Sequence, residues 1–210
     1  MARKPGRGLR IVAGEHRGRK LRTPPGKILR PMRDQVRGAL FNILGSERIV
    51  DAVALDLFAG SGSLGLEALS RGAARAVFVD DDPRCLEVLR ENVAALGLDE
   101  RARVRRHDLA RGVALLVPSG PFDLVLVHPP FELLRAPPKA GEPDVTRLLG
   151  QLVSTEGLLA AHARIAFETP RDRYPAAGDL PFLEVLLRRE YGSTALFVAR
   201  TVVTDAGEGA

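Results

Sequence analysis

A glycine-rich turn directly after a short apolar run constrains the fold of this chain more than any other segment. The run covers residues 53–58, and Gly60, Gly62 and Gly65 follow it in a G-x-G-x-x-G pattern. A run of this length is typical of a buried strand, and glycine allows a positive φ and a close approach of the backbone to a ligand. The segment therefore predicts a strand, a tight turn and a helix that bind a nucleotide-like ligand.

An acidic residue within the run, Asp56, narrows the choice of ligand. A dinucleotide would bring a diphosphate to this turn, where a carboxylate would repel it. S-adenosylmethionine has no phosphate and carries an ammonium and a sulfonium group, and a nearby carboxylate attracts both cations. Asp56 therefore favours S-adenosylmethionine over a dinucleotide.

Strand and helix patterns alternate along the chain. Further strands are predicted at 9–13, 76–79, 104–106, 122–127 and 163–168, with two more between 185 and 203 around a turn at Tyr191-Gly192. Helices are predicted at 35–44, 63–71, 83–96, 110–116 and 145–159, with a loop at 135–144. Asp34 and Asp82 are the expected caps of the first and third helices. The alternation predicts an α/β fold with a doubly wound, mostly parallel sheet that binds ligands at the carboxyl ends of its strands.

Positive charge is concentrated at the beginning of the chain. Residues 1–50 hold 13 Lys and Arg against 3 Asp and Glu, whereas residues 51–210 hold 18 against 23. This asymmetry predicts a polyanion partner, and the alternative is a solubilising tail. We interpret residues 1–50 as a basic nucleic-acid-binding extension with the first helix, and residues 51–210 as the domain that holds the nucleotide-like ligand. The predicted nucleic-acid contacts, which the family resemblance described below assigns to RNA, are Arg10, Arg17, Arg19, Lys20, Arg30, Arg33 and Arg37.

The composition argues against several other classes of protein. No apolar run approaches the roughly 20 residues of a membrane span, and no apolar stretch of a secretion signal follows the basic start. The single cysteine, Cys85, excludes an intramolecular disulfide bond and a cysteine-based metal cluster. We therefore expect a cytoplasmic monomer with no bound metal and no membrane partner.

Two more acidic residues follow predicted strands. Asp80 comes 20 residues after Gly60, where an acid can accept hydrogen bonds from both ribose hydroxyls. Helix capping is the alternative for Asp80, although Asp82 is better placed for it. Asp108 could accept from an adenine amino group or be a solvated loop carboxylate, and the residues alone favour neither interpretation.

The strand predicted at 122–127 ends in His128-Pro129-Pro130-Phe131. With the glycine-rich turn and Asp80, this ending resembles class I S-adenosylmethionine-dependent methyltransferases that act on an exocyclic amine, whose usual motif is Asp/Asn/Ser-Pro-Pro-Tyr/Phe. More narrowly, the chain resembles the RsmD family. The matching segments are Arg10-Ile-Val-Ala-Gly14, Arg17-Gly-Arg-Lys-Leu21, Arg30-Pro31 with Asp34, Val36-Arg37, residues 39–44, residues 56–73, and Tyr191-Gly192 with Leu196.

The resemblance implies a seven-stranded, Rossmann-like sheet with a reversed last strand, and methyl transfer to N2 of a guanine in small-subunit ribosomal RNA, free or in the assembling subunit. It implies that Asp56 and the loop 60–62 hold the methionine part of the cofactor, that Asp80 binds its ribose, and that Asp81 flanks its adenine. Residues 128–131 would hold the target base and carry the catalysis. The complete set predicted to bind S-adenosylmethionine is Asp56, Phe58, Gly60, Ser61, Gly62, Asp80, Asp81 and Asp108.

Three positions depart from the family pattern. The family usually has Asp or Asn at His128, Thr at Met32 and Glu at Gly38. Acceptors that hold the N–H bonds of an exocyclic amine aim its lone pair at the methyl carbon, while Phe131 offers a stacking face to an extruded base. A neutral histidine has one acceptor nitrogen, so His128 can replace the usual residue in one tautomer. Alternatively the Pro129 carbonyl is the main acceptor, or activity is altered or lost.

Three other functions remain open from the sequence. An N6-adenine methyltransferase of RNA or DNA uses the same four-residue motif. A non-catalytic RNA-binding assembly protein would explain the basic extension and His128, but not an intact cofactor pocket. A nicotinamide-dependent oxidoreductase would share the glycine-rich turn and Asp80, but it does not explain Asp56 or the Pro-Pro-Phe loop.

Overall fold

One seven-stranded sheet forms the centre of the fold in the computed structural model, which describes residues 8–24, 32–135, 144–172 and 180–202. The strands are β1 (Val53–Leu57), β2 (Arg75–Asp80), β3 (Ala102–Arg106), β4 (Phe122–Val127), β5 (Leu159–Pro170), β6 (Leu183–Tyr191) and β7 (Thr194–Thr201). Their order is β3-β2-β1-β4-β5-β7-β6. Neighbours from β3 to β5 are parallel, and β7 runs antiparallel between β5 and β6. The predicted doubly wound, mostly parallel sheet with a reversed last strand is confirmed.

Helices cover both faces of the sheet. They are α1 (Asp34–Leu44), α2 (Ser63–Ser70), α3 (Pro83–Leu96), α4 (Phe131–Arg135) and α5 (Val145–Ser154). Residues of α1, α2 and α3 belong to one hydrophobic cluster, and residues of α5 belong to a second. In β4, Leu124 and Leu126 join the first cluster, while Val125 and Val127 join the second. Burial on both faces explains why the central strands are apolar without alternation.

Two glycines of the glycine-rich turn are required by the packing of neighbouring side chains, independently of ligand binding. Gly62 has a φ of 82° and is the N-cap of α2. A Cβ atom on Gly62 would lie 2.2 Å from the Leu89 side chain, and one on Gly65 would lie 2.3 Å from the Phe78 ring. A larger residue at Gly65 would therefore require the Phe78 ring to move, and one at Gly62 would require Leu89 to move and would strain the backbone at its positive φ.

One of the two predicted helix caps is confirmed and the other is wrong. Asp82 caps α3 by accepting a hydrogen bond from the Arg84 backbone N–H at 2.9 Å. The N-cap of α1 is Arg33, which makes no side-chain capping bond, so α1 includes Asp34 in its first turn. The Asp34 carboxylate instead binds the guanidinium groups of Arg10 and Arg37, which are stronger partners than a backbone N–H.

The helix predicted at 110–116 is wrong. Two short 3₁₀ segments occupy this region, at Leu109–Arg111 and Ala114–Ser119. Gly112, with a φ of 88°, separates them, and Pro118 lies in the second. Both residues oppose a continuous α-helix.

The helix predicted to reach residue 159 ends at Ser154. Leu159 begins β5 and pairs with Phe122 of β4. Pairing in the sheet therefore overrides the local helical pattern at this residue. The turn predicted at Tyr191-Gly192 is confirmed between β6 and β7. Of the loop predicted at 135–144, residues 136–143 lie outside the described part of the chain.

The described part of the N-terminal extension forms a hairpin on α2 and α3. In place of the predicted strand at 9–13 there is an isolated antiparallel bridge between Arg10 and Lys20. Ile11 and Leu21 of the hairpin are buried in the same hydrophobic cluster as α2 and α3. The extension therefore shares its core with the rest of the fold. Across the described residues, no helix has the length and apolar character that crossing a membrane requires.

Candidate active site

The carboxyl ends of β1, β2 and β4 bring the predicted site residues to one edge of the sheet. Asp56 lies near the end of β1, Asp80 ends β2, and His128 follows β4 directly. Because these three strands are neighbours in the order β2-β1-β4, residues that are distant in the chain become adjacent in space.

Asp56 is almost completely buried, with 1% of its surface exposed. Its Oδ2 atom accepts a hydrogen bond from the Gly65 backbone N–H at 2.8 Å, so the carboxylate caps the first turn of α2. Burial raises the pKa of Asp56 to about 8, and the nearby charge of Asp80 adds to the rise. Because a bound cation favours the ionised form of a carboxyl, Asp56 would act on such a ligand through the charge it acquires on binding.

Asp80 ties the glycine-rich turn to the loop before α3. Its Oδ2 atom accepts from the Gly60 N–H at 2.7 Å, and its Oδ1 atom accepts from the Asp82 N–H at 3.0 Å. Burial raises the pKa of Asp80, and these backbone hydrogen bonds partly oppose the rise. Each carboxylate oxygen has a second lone pair that can accept from a ligand hydroxyl.

The turn between these two acids is held in a strained and anchored conformation. Phe58 has a φ of 58°, in the left-handed region that costs a non-glycine residue roughly 1–2 kcal/mol. The Ser61 carbonyl accepts a hydrogen bond from the Asn92 side chain of α3 at 3.0 Å. Asn92 also bonds the Arg22 backbone in both directions, so the N-terminal hairpin and the turn share one anchor.

Asn92 was not predicted from the sequence. Its signal is a polar residue on the apolar face of α3, where it is buried beside Leu89, Val93 and Leu96. A buried amide requires hydrogen-bond partners, but only the folded structure identifies them as the turn and the hairpin.

The two remaining predicted cofactor acids are more exposed. Asp81 is exposed at the start of the loop before α3. Asp108 accepts from the Ala110 N–H at 2.9 Å and lies 3.6 Å from the Arg111 guanidinium. Asp108 thus caps a local turn, a role that neither of its two interpretations included, and its contact with adenine stays a prediction.

The His-Pro-Pro-Phe segment leads from β4 into α4. His128 and Phe131 are partly buried, Pro129 is buried and Pro130 is exposed. The Nε2 atom of His128 lies 2.8 Å from the Oε2 atom of Glu168. Phe131 is the first residue of α4. An imidazole and an aromatic ring therefore follow the same strand end.

Glu168, which is 5% exposed on β5, was also not predicted from the sequence. Val127 pairs with Phe167 in the parallel register of β4 and β5. His128 and Glu168 are each one residue further along, which explains their contact. The sequence does show an acidic residue at the end of an apolar strand. It does not show that His128 is its partner, because that depends on the order of the strands in the sheet.

The carboxylates at this edge suit a cationic ligand. Burial raises the pKa of both Asp56 and Asp80, and the charge of Asp80 raises that of Asp56 further, so a bound cation would relieve the cost of ionising them. A diphosphate would increase it. The residues therefore fit S-adenosylmethionine and do not fit a dinucleotide. Within the described residues, no group of three His, Cys, Asp or Glu side chains could hold a metal ion.

The predicted RNA-binding residues have different environments. Arg17, Arg19, Lys20 and Arg33 are exposed, whereas Arg10 is partly buried and ion-paired with Asp34 at 3.2 Å. Arg19 donates to the Ala95 carbonyl at 2.6 Å, and Arg33 donates to the Tyr191 carbonyl at 3.2 Å. Arg30 lies outside the described residues.

The prediction that Arg37 contacts RNA is wrong. Its side chain is 0% exposed. It donates to the carbonyls of Met32 and Arg10 and to the Asp34 carboxylate, and its Nε atom lies 3.5 Å from Glu67. A guanidinium group is buried only when it is paired, and these contacts use Arg37 to fix the extension against α1 and α2.

Glu67 of α2 also fixes the extension against the helices, and it was not predicted from the sequence. It is 0% exposed and accepts from the Val12 and Ala13 backbone N–H groups at 2.7 and 3.0 Å. The Arg71 side chain also donates to it at 2.8 Å. The hairpin is thus bonded to the helix that carries the glycine-rich turn.

A cavity of about 380 Å³ lies between the hairpin and the start of α1. Its lining includes Arg10, Arg17, Asp34 and Gln35. Two of these residues, Arg10 and Arg17, are predicted RNA contacts, so both contribute to one concave surface.

The chain matches one protein family along most of its length. Residues 9–200 match the family described as conserved hypothetical protein 95. The protein YlbH of Bacillus subtilis is 32% identical over 197 residues, which cover 90% of this chain and 97% of that protein. Ribosomal RNA small subunit methyltransferase D of Escherichia coli is 45% identical over 124 residues, which cover 59% of this chain and 60% of that enzyme.

A solved structure shows the same fold. The structure of yhhF from Escherichia coli superposes with a TM-score of 0.73 at 35% identity, and it covers 92% of this chain and 97% of that chain. The superposed region contains nearly all of the helices and strands described above.

Proposed function

This chain belongs to the RsmD family, described as conserved hypothetical protein 95, and from this membership we propose that it transfers a methyl group from S-adenosylmethionine to the exocyclic N2 amine of a guanine in small-subunit ribosomal RNA. The observation that carries the proposal is the position of the His-Pro-Pro-Phe segment. It follows β4, beside the glycine-rich turn after β1. The name of the Escherichia coli relative supports ribosomal RNA as the substrate.

The residues that would hold the cofactor are those at the ends of β1 and β2. Asp80 would accept from the ribose hydroxyls, and the negative charge of Asp56 would attract the cationic end. When bound, S-adenosylmethionine supplies an electrophilic methyl group. Because the glycine-rich turn is anchored by Asp80 and Asn92, its backbone needs little reorganisation when a ligand binds.

The motif after β4 would position the target amine. An exocyclic amine shares its lone pair with the aromatic ring, so it is a weak nucleophile. Acceptors at His128 and at the Pro129 carbonyl would hold its N–H bonds and stabilise the positive charge that develops on nitrogen. The Phe131 ring would stack on the extruded base.

The exposed basic residues of the hairpin would bind the RNA backbone. Arg17 and Lys20 are exposed on a hairpin that Glu67 bonds to α2. A phosphate held there would be at a fixed distance from the site, because the hairpin and α2 share one hydrophobic cluster. Phosphate contacts of this kind position a nucleic acid without reading its sequence.

Methylation assays with nucleoside mass spectrometry test the proposal. Purified protein and methyl-labelled S-adenosylmethionine are incubated with small-subunit RNA, free and in assembled or assembling subunits, and the RNA is digested to nucleosides. We expect N2-methylguanosine. N6-methyladenosine would show the adenine alternative instead. Binding of cofactor and RNA without methyl incorporation would favour the non-catalytic assembly protein.

A further inference from the structure

We infer that Glu168 is a positioning residue for the transfer reaction, which holds the proton of His128 on Nε2 and leaves Nδ1 as the acceptor for the target amine. This inference rests on the proposed function. It concerns the position where the chain has histidine in place of the Asp or Asn of related motifs.

The first argument is the geometry of the pair. The Nε2 atom of His128 and the Oε2 atom of Glu168 are 2.8 Å apart. Two bare acceptors do not approach so closely, so one proton lies between them. The carboxylate is the stronger acceptor when ionised, so Nε2–H donates to it. A neutral ring then has its lone pair on Nδ1.

The second argument is that both side chains are held by the sheet. The pair is adjacent because β4 and β5 are parallel and Val127 pairs with Phe167. The Glu168 side chain is 6% exposed and that of His128 is 17% exposed. Among the described residues, no hydrogen bond or ion pair involves Nδ1 of His128, whose ring makes its polar contact through Nε2. The ring is therefore fixed through one nitrogen, while the other is available to a substrate.

The third argument is the fate of the proton in the reaction. The target nitrogen forms the N–C bond with its lone pair, and the C–S bond breaks with its electrons remaining on sulfur. The methylated amine then carries an excess proton, which passes to Nδ1 of His128. The resulting imidazolium lies beside the Glu168 carboxylate, which stabilises it until the proton reaches solvent. An Asp or Asn at this position would supply an acceptor without this pairing.

The direct test determines which ring nitrogen of His128 carries the proton. The chain has four histidines, so ¹⁵N-histidine labelling gives four ring systems, and His128→Asn identifies the relevant one. Spectra are recorded near pH 8.5, well above the usual titration range of histidine. We expect a protonated Nε2 and a bare Nδ1 in the wild-type protein, and a mixture of both tautomers in Glu168→Ala.

The kinetic test asks whether Glu168 acts through His128. Single-turnover methylation is measured for wild type, Glu168→Gln, His128→Asn and the double variant. We expect Glu168→Gln to slow the reaction about 10²-fold, the typical cost of one preorganised partner. In the His128→Asn background the same change should alter the rate by less than about twofold, because the partner through which it acts is gone.

A matched control removes an exposed carboxylate that is close to His128 in the sequence. Glu132→Gln, on α4, should leave the rate unchanged. Circular dichroism of every variant identifies any that fails to fold.

Two results would overturn the inference. One is a proton on Nδ1 of His128 in the wild-type spectrum. The other is an equal loss of rate on Glu168→Gln in both backgrounds, which indicates a structural role. Since the spectra need no substrate, absence of methylation by every variant, including wild type, would contradict the proposed function and leave the tautomer result intact.

Discussion

Replacement of Asp56 by asparagine should increase the stability of the cofactor-free protein in a pH-dependent way. Asp56 is 1% exposed, and burial raises the pKa of its carboxyl from 3.8 to about 8. An unfolded chain loses this proton from about pH 4 upward, whereas the folded chain keeps it until about pH 8. The contribution of Asp56 to stability is therefore complete below about pH 4 and is lost as the pH rises toward 8.

The magnitude follows from linkage. One pKa unit corresponds to about 1.4 kcal/mol, so at pH 7 the carboxyl lowers the free energy of unfolding by roughly 4 kcal/mol relative to strongly acidic solution. Asparagine does not titrate, and its Oδ1 can still accept from the Gly65 N–H. An unpaired amide N–H would cost about 1–3 kcal/mol. We therefore expect Asp56→Asn to be about 1–3 kcal/mol more stable than wild type at pH 7.

Urea unfolding at pH 5, 6 and 7 measures this difference. The chain has no tryptophan, so far-UV circular dichroism is the appropriate signal. The advantage of Asp56→Asn should grow by about 1.4 kcal/mol per pH unit. Asp123→Asn is a matched control, because Asp123 accepts from the Val53 N–H in the same sheet but is exposed. Parallel stability profiles for wild type and Asp56→Asn would refute the reasoning.

The same substitution, Asp56→Asn, should weaken the binding of the cofactor. The charge that attracts a sulfonium and an ammonium is lost, and we expect about tenfold weaker binding of S-adenosylmethionine at pH 8. Wild type should release a proton on binding near pH 7, because a cation favours the ionised carboxyl, and Asp56→Asn should release less. Calorimetry in two buffers of different ionisation enthalpy measures both quantities.

Three further predictions concern the cofactor and the extension. Asp80→Asn removes the negative charge and one of the two carboxylate acceptors, so calorimetry should show about tenfold weaker cofactor binding; an unaltered affinity would remove Asp80 from the site. Arg37→Ala should destabilise the protein by about 3–5 kcal/mol in urea unfolding, because its buried partners lose their counter-charge, and a loss below about 1 kcal/mol would contradict the anchoring role. Arg17→Ala should reduce the slope of log affinity for RNA against log salt by about 0.7–0.9, and Arg19→Ala should reduce it less because Arg19 already binds a carbonyl; an unchanged slope in Arg17→Ala would show that it contacts no phosphate.

Much of the site was predictable because its determinants are local. The apolar run, the glycines and Asp56 are consecutive, and their spacing requires a strand, a turn and a helix. Asp82 with Pro83 marks the beginning of α3 in the same local way. The basic charge of residues 1–50 is also a property of composition, and it predicted exposed cations such as Arg17.

Local pattern was insufficient where a side chain's partner lies in another element. Arg37 was predicted to face RNA with the other arginines, but the hairpin and α2 enclose it. Asp34 was predicted to cap a helix, but two guanidinium groups compete successfully for its carboxylate.

The sequence alone determined the class of fold and the chemistry of the strand ends, because backbone preferences and apolar spacing act over a few residues. Only the tertiary structure decided how those groups behave. Desolvation beneath α2 raises the pKa of Asp56, and the adjacency of β4 and β5 pairs His128 with Glu168. Both effects depend on distance and burial in three dimensions, which no local pattern encodes.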